Sequence, residues 1–165
     1  MTKKTNREYL RSTLFGIEDS LVSTTGLIAG LSVGSDNKQV VLLAGLVAIV
    51  VEATSMGASE YISTDALEDL DKLKRHSEKP AIISGLLMMI SYMVAGLVPL
   101  LPIMLVDAKY ALAVSVSGAL IGLFVLGYAK GKLVKASPWP SAFKILFIGG
   151  LATFIGVVAG RIFKV

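Results

Sequence analysis

Residues 40–63 read VVLLAGLVAIVVEATSMGASEYIS, a largely apolar run long enough to cross a bilayer, with Glu52 at its midpoint. A membrane span needs roughly 17 to 25 mostly apolar residues. This run meets that requirement while carrying an acid where acids are rare. An ionised carboxylate at the centre of a membrane helix costs about 2.5 to 3.5 kcal/mol on insertion scales, so such a residue faces a partner, a cavity or an ion path. Met56 and Glu60 follow Glu52 at steps of four. At about 100° per residue the three side chains share one helix face, reading carboxylate, thioether, carboxylate from the midplane toward the interface.

Outward from this run, the remainder of the chain repeats its character. Segments 12–33, 40–62, 81–106, 110–129 and 141–163 each satisfy the span criterion and together use most of the 165 residues. The composition agrees: 54% hydrophobic and only 17% charged, with a mean hydropathy of +0.73, far more apolar than a soluble domain of this size requires. The expected fold is all-α, a single integral membrane domain of five transmembrane helices spanning residues 1–165. With no cysteine in the chain, disulfides, thiolate metal sites and cysteine nucleophiles are excluded. The single histidine, His76, lies in a polar connection, and no G-x-S-x-G elbow is present, so a membrane enzyme is not expected.

The net charge of +4 reflects topology rather than a nucleic-acid partner. Lys3, Lys4, Arg7 and Arg11 precede the first span; Lys72, Lys74, Arg75 and Lys79 separate the second and third; Lys130, Lys132, Lys135 and Lys144 separate the fourth and fifth. Only Lys38, Lys109, Arg161 and Lys164 fall on the other side. The positive-inside rule therefore predicts a cytosolic N-terminus and a C-terminus across the membrane, as an odd number of spans requires. Residues 1–12 lead into a full-length span without a cleavage site, so no removable signal peptide is expected.

The first span meets Glu18 and Asp19 early, then Ser23, Thr24 and Thr25, then Gly26, Gly30 and Gly34 at steps of four, a small-residue stripe that lets another helix approach closely. The turn Gly34-Ser35-Asp36-Asn37-Lys38 is short enough to make the first two helices antiparallel neighbours. Counting from the cytosolic ends at about 1.5 Å per residue, Asp19 and Met56 both lie roughly 10 Å in. Asp19, Met56 and Glu60 can converge without special geometry, with Glu52 one turn further inward. After Ile62 the chain becomes polar, with acids at Asp65, Glu68, Asp69 and Asp71 before the bases; an extended second helix or a short amphipathic one is expected there. Pro99 and Pro102 are expected to kink or unwind the third span. Met88, Met89 and Met93 read as packing, Gly118 and Gly122 of the fourth span have GxxxG spacing, and Ser137-Pro138-Trp139-Pro140 reads as an interfacial corner.

The stretches FGIEDSLVSTTGLIAGL (residues 15–31) and LLAGLVAIVVEATSMGASEYIS (residues 42–63) resemble the paired signatures of the vacuolar iron transporter family, known in yeast as the calcium-sensitive cross-complementer family. Its pattern opens the first helix with F/L-G-x-N-D-G-L-V-S-T and closes the second with S-M-x-x-G-E-Y/F-x-S. The resemblance implies a homodimeric transporter that moves ferrous iron, and often manganese, out of the cytosol in exchange for protons along a pathway at the dimer interface. It assigns Asp19, Met56 and Glu60 to the metal, with no resident cofactor. It further implies an integral membrane location, the plasma membrane in a prokaryote or the vacuolar membrane in a eukaryote. Three features depart from the pattern: Glu18 and Ser20 stand where Asn and Gly are expected, Glu52 occupies a position that is usually small, and fewer than twenty residues join the second and third spans where longer members carry a soluble metal-binding insert.

The residue chemistry supports a divalent cation. Carboxylate oxygens alone suit magnesium, calcium or manganese, and a thioether shifts preference toward softer ions such as ferrous iron. Ligands on a dimer axis are doubled, so Asp19, Glu52, Met56 and Glu60, with Glu18 as a secondary candidate, are enough for a site. Carboxylates that release protons on binding metal also supply the exchange that antiport needs. Plainer readings stand beside this one. Glu52 can be a structural acid bonded to Ser or Thr of a neighbouring helix, and Glu60 an interfacial acid that caps the interface and meets a lysine at headgroup level. A passive cation channel and a non-transporting dimeric scaffold remain the rival functions.

Overall fold

The computed structural model describes residues 3–70 and 79–164. Its elements are α1 (Lys3–Gly34), α2 (Lys38–Leu70), α3 (Lys79–Leu105), α4 (Ala108–Leu133) and α5 (Pro138–Ile162), with no strand among the described residues. All five are long and apolar enough to cross a membrane, and the chain is an integral membrane protein of the all-α class. Helix α2 continues beyond its apolar run to Leu70, the extended second helix of the two alternatives expected there. The readings that concern Asp71, Lys72, Lys74, Arg75 and His76 lie outside the described residues. Helix α5 starts on Pro138, where a missing N–H costs nothing because the first turn has no intrahelical acceptor for it.

Helix α1 is the hub. It packs most extensively on α3 and α5, also touches α4, and meets α2 only lightly; α2 lies chiefly on α3, and α4 on α5. The short turn does set α1 and α2 antiparallel, but the glycine stripe of α1 serves α5. Gly26 opposes Ala152, Gly30 opposes Gly156 and Gly34 opposes Gly160; a Cβ added at Gly30 would stand 2.7 Å from the Gly156 carbonyl oxygen. Helices α2 and α3 cross as tightly, with a Cβ at Gly85 falling 2.7 Å from the Gly57 carbonyl oxygen. In lipid, where tails are as apolar as leucine, such backbone-to-backbone approach is what holds helices together. Gly118, by contrast, has nothing within 4 Å of where its Cβ would be, so its GxxxG spacing is not used within one chain.

The prolines of α3 do not unwind it. The helix runs through Pro99 and Pro102 to Leu105, and the buried Ser115 of α4 donates a 2.6 Å hydrogen bond to the Pro99 carbonyl. That bond ties α4 to the proline-containing turn of α3; the carbonyls that Pro99 and Pro102 leave without an N–H donor are those of Ala95 and Val98, one turn earlier. At the opposite connection, Lys38 donates to the Met104 and Val106 carbonyls (3.2 and 3.3 Å) and so caps the end of α3.

The distribution of side chains is that of a bundle in lipid. Large apolar residues such as Phe147 and Phe154 are 72% and 65% exposed, whereas Ser12, Ser20, Thr24, Thr25, Ser84 and Ser115 are buried. The apolar interior is small: Leu21, Ala95, Ala119, Leu123 and Ile145 form one cluster and Ile28, Val41, Ile49, Leu100, Ile103 and Ala111 another.

Candidate ion-path residues on helices α1 and α2

Two bonded levels tie α1 to α2. At one, Ser23 Oγ donates to Glu52 Oε2 at 3.2 Å. At the other, Ser12 Oγ and Arg11 Nη2 both donate to Glu60 Oε1, at 2.6 and 2.7 Å. Because the helices are antiparallel, Asp19, one turn before Ser23, falls level with the turn of α2 that holds Met56, one turn after Glu52. The matched depths counted from the sequence are therefore reproduced by the hydrogen-bond register.

Glu52 sits where three helices meet. Its carboxylate accepts from Ser23 and from the Tyr92 hydroxyl of α3, and the two hydroxyls lie 2.6 Å apart. Tyr92 is fully buried, and Ser20 of α1 donates to its carbonyl at 2.7 Å, so α3 is held to α1 at the same depth. A buried phenol finds a polar partner because an unmade hydrogen bond in an apolar setting costs more than the bond itself contributes. These contacts match the plainer reading of Glu52 as an acid bonded to a neighbouring serine, and both fall on Oε2, leaving Oε1 without a donor among the described residues.

Asp19 is half-buried, within electrostatic reach of Glu52 and Glu18, and has no hydrogen-bond or ion-pair partner among the described residues. Met56 is also half-buried. Glu60 is buried, and its donors converge on one oxygen: besides Arg11 and Ser12, Thr64 donates to Oε1 at 3.4 Å. Its partner base is Arg11, one of the residues read from sequence only as topogenic charge. Glu18, where the family pattern has Asn, forms a 2.7 Å ion pair with Lys130 of α4. No group of three or more His, Cys, Asp or Glu side chains able to hold a metal occurs among the described residues. One chain thus brings Asp19 and Glu52 into mutual reach, with Met56 at the level of Asp19 and Glu52 one turn further in, while Glu60 and Glu18 are paired with bases.

Tyr92, Ser12 and the pairing roles of Arg11 and Lys130 were not singled out from the sequence. Tyr92 left a signal: a hydroxyl in the middle of an apolar span needs a partner, just as Glu52 does. The two ion pairs left none, because nothing in the linear order associates Glu18 with a lysine in α4.

Glu18 and Glu60 open onto a cleft of about 780 Å3 at the end of the bundle where α1 begins and α4 ends; Arg7, Arg11, Phe15, Met88, Lys130 and Lys135 also line it. Met88, read as packing, is buried against α1 and forms part of this wall.

The model of the VIT family matches residues 10–82 and 70–161. Vacuolar iron transporter 1 of Arabidopsis thaliana is 28% identical over 206 aligned positions, covering 88% of this chain and 82% of its own length. Vacuolar iron transporter 1 of Oryza sativa subsp. japonica is 29% identical over 209 positions, covering 90% and 83%. Vacuolar iron transporter homolog 4 of Arabidopsis thaliana is 29% identical over 163 positions, covering 90% and 80%. The first two alignments are longer than the chain's 165 residues, so those relatives carry intervening residues that this chain lacks, whereas the third alignment is not. The two matched segments of the family model meet at 70–82, the polar stretch between α2 and α3.

Proposed function

The chain belongs to the VIT family, and from that membership, together with the acids that α1 and α2 hold inside the bundle, we propose that it exports a divalent metal ion from the cytosol. Ferrous iron is the first candidate and manganese the second, in exchange for protons, through a path between two copies of the chain. Relatives over most of its length are named as vacuolar iron transporters, which supports metal-ion transport as the coarse function. The observation that carries the finer reading is the pair of adjacent levels in which Asp19 lies with Met56 and Glu52 one turn further in. Carboxylates within reach of one another, one of them without a bonded partner, accompany a thioether in the middle of a membrane bundle. Hard oxygen and soft sulfur donors together suit a borderline ion.

One chain does not bring together a complete ligand set among its described residues. A second copy related by a two-fold axis would double each donor, which supports the dimer reading. Carboxylates bind metal in their deprotonated form, so loading releases protons and protonation returns the site to its empty state. The basic end of the bundle is the cytosolic end in this scheme. The membrane is the plasma membrane of a prokaryote or the vacuolar membrane of a eukaryote.

The test is metal uptake into proteoliposomes with a fluorescent divalent-ion reporter, comparing ferrous iron, manganese, zinc and calcium with and without a proton gradient. Iron or manganese flux that rises when the opposite compartment is acidified, and is lost in Asp19→Ala and Glu52→Ala proteins that still fold, is the expected result. Flux indifferent to the gradient makes the protein a channel; no flux for any ion makes the acids structural.

A further inference from the structure

The cleft at the basic end has the wrong charge for a metal entrance. Four cations line it, Arg7, Arg11, Lys130 and Lys135, against two carboxylates, Glu18 and Glu60. Both carboxylates are already spent on 2.7 Å ion pairs with Arg11 and Lys130. Arg7 from α1 and Lys135 from beyond α4 remain, and neither has an ion-pair partner among the described residues. A concave site with an excess of one sign concentrates ions of the other, so this one attracts an anion and repels a divalent cation.

The walls say which kind of anion. Leu10, Leu14, Phe15, Leu133 and Val134 line the same cleft, and Phe15, Leu133 and Val134 are 48%, 57% and 58% exposed. A free phosphate has no use for that hydrocarbon; a phosphate that carries an acyl chain does. Arg7 lies just before the apolar stretch of α1 and Lys135 just after that of α4, which is headgroup depth.

Lys135 adds an independent observation. It follows the C-terminus of α4 at φ 56°, and Ala136 N–H returns to the Gly131 carbonyl at 2.9 Å, closing the helix in the left-handed turn that ordinarily takes glycine. It is the only non-glycine residue with positive φ in the described chain. A lysine kept where glycine would be unstrained points to a use for its ammonium group.

We propose that this cleft binds the headgroup of an anionic phospholipid, with the phosphate between Arg7 and Lys135 and the acyl chain along Phe15 and Leu133. The inference does not depend on what the protein transports. The probe is dioleoyl phosphatidylglycerol, with dioleoyl phosphatidylcholine as the neutral control, added to the full-length chain in detergent and read by native mass spectrometry alongside the melting temperature. Phosphatidylglycerol retention should exceed that of phosphatidylcholine, and Arg7→Gln/Lys135→Gln should lower its affinity about thirty-fold, about fivefold per cation removed. Lys135→Gly should raise the melting temperature, since the strain is relieved, while still losing about fivefold in lipid affinity. That opposition of sign separates a lipid ligand from a structural lysine. Equal retention of the two lipids, affinity unchanged in the double variant, or complete displacement of phosphatidylglycerol by millimolar inorganic phosphate would each overturn the proposal.

Discussion

The Glu52–Tyr92–Ser23 cluster makes a quantitative prediction for Tyr92→Phe. Tyr92 is fully buried, and phenylalanine keeps its ring, so the substitution removes the hydroxyl and little else. That hydroxyl bonds Glu52, and a hydrogen bond to a charged partner contributes about 1.5 to 3 kcal/mol. Ser23 continues to donate to Glu52 across 3.2 Å, a longer contact, so the carboxylate is weakened rather than stranded. The expected loss of stability is about 2 kcal/mol for Tyr92→Phe and under about 1 kcal/mol for Ser23→Ala. In a Glu52→Gln background the tyrosine faces a neutral acceptor, and its deletion should cost about 1 kcal/mol. The difference, about 1 kcal/mol, is the coupling energy of the pair. The only tryptophan, Trp139, packs edge-on against Tyr128 with ring centroids 5.6 Å apart and reports unfolding in mixed micelles without a label. A double-mutant cycle that closes additively would show that the phenol and the carboxylate do not interact, and would remove the support for Glu52 as an acid positioned by α3.

Other variants test the packing and the ion pairs. Gly30→Ala should destabilise the protein by about 1 to 3 kcal/mol, because its Cβ would meet the Gly156 carbonyl at 2.7 Å and backbone cannot rotate aside. Gly118→Ala, with open space around it, should be neutral or gain the roughly 1 kcal/mol by which alanine exceeds glycine in a helix; equal losses at the two sites would refute the close α1–α5 crossing. Lys130→Gln should cost about 1 kcal/mol, the pair being partly exposed, and adding Glu18→Asn should restore most of it. Failure of the second change to compensate would show that Glu18 does not depend on Lys130. Arg11→Gln leaves the buried Glu60 with only hydroxyl donors, and thermal stability at low and high salt should fall more than for Lys130→Gln.

The fold class was legible because lipid imposes a one-dimensional constraint. A helix must satisfy every backbone group internally and run about 20 apolar residues, so counting such runs finds all five helices, although α1 begins at Lys3 and α2 ends at Leu70, well beyond the apolar runs 12–33 and 40–62. The acid face of α2 was legible for the same reason: Glu52, Met56 and Glu60 share a face by helical periodicity alone, and their depths follow from the rise per residue. The family resemblance rested on two motifs on those same two helices, and the family match over residues 10–161 bears it out.

What the chain order could not show is which helix meets which. The glycine stripe of α1 announces a close crossing without naming the partner; the short turn makes α2 a neighbour, and it is α5 that takes the glycine face. Likewise, nothing in the chain order shows that Arg11 pairs with Glu60, read as a metal residue, or that Lys130 pairs with Glu18, the secondary candidate; those bases come to them from other helices. Hydropathy and periodicity act along one helix and are written in consecutive residues. Neutralisation of a carboxylate depends on a cation arriving within about 4 Å from somewhere else in the chain. Number, length, polarity and depth of the spans are therefore properties of the sequence itself. Whether a given acid is tied to a base or left to face Glu52, as Asp19 is, is decided only when the helices pack.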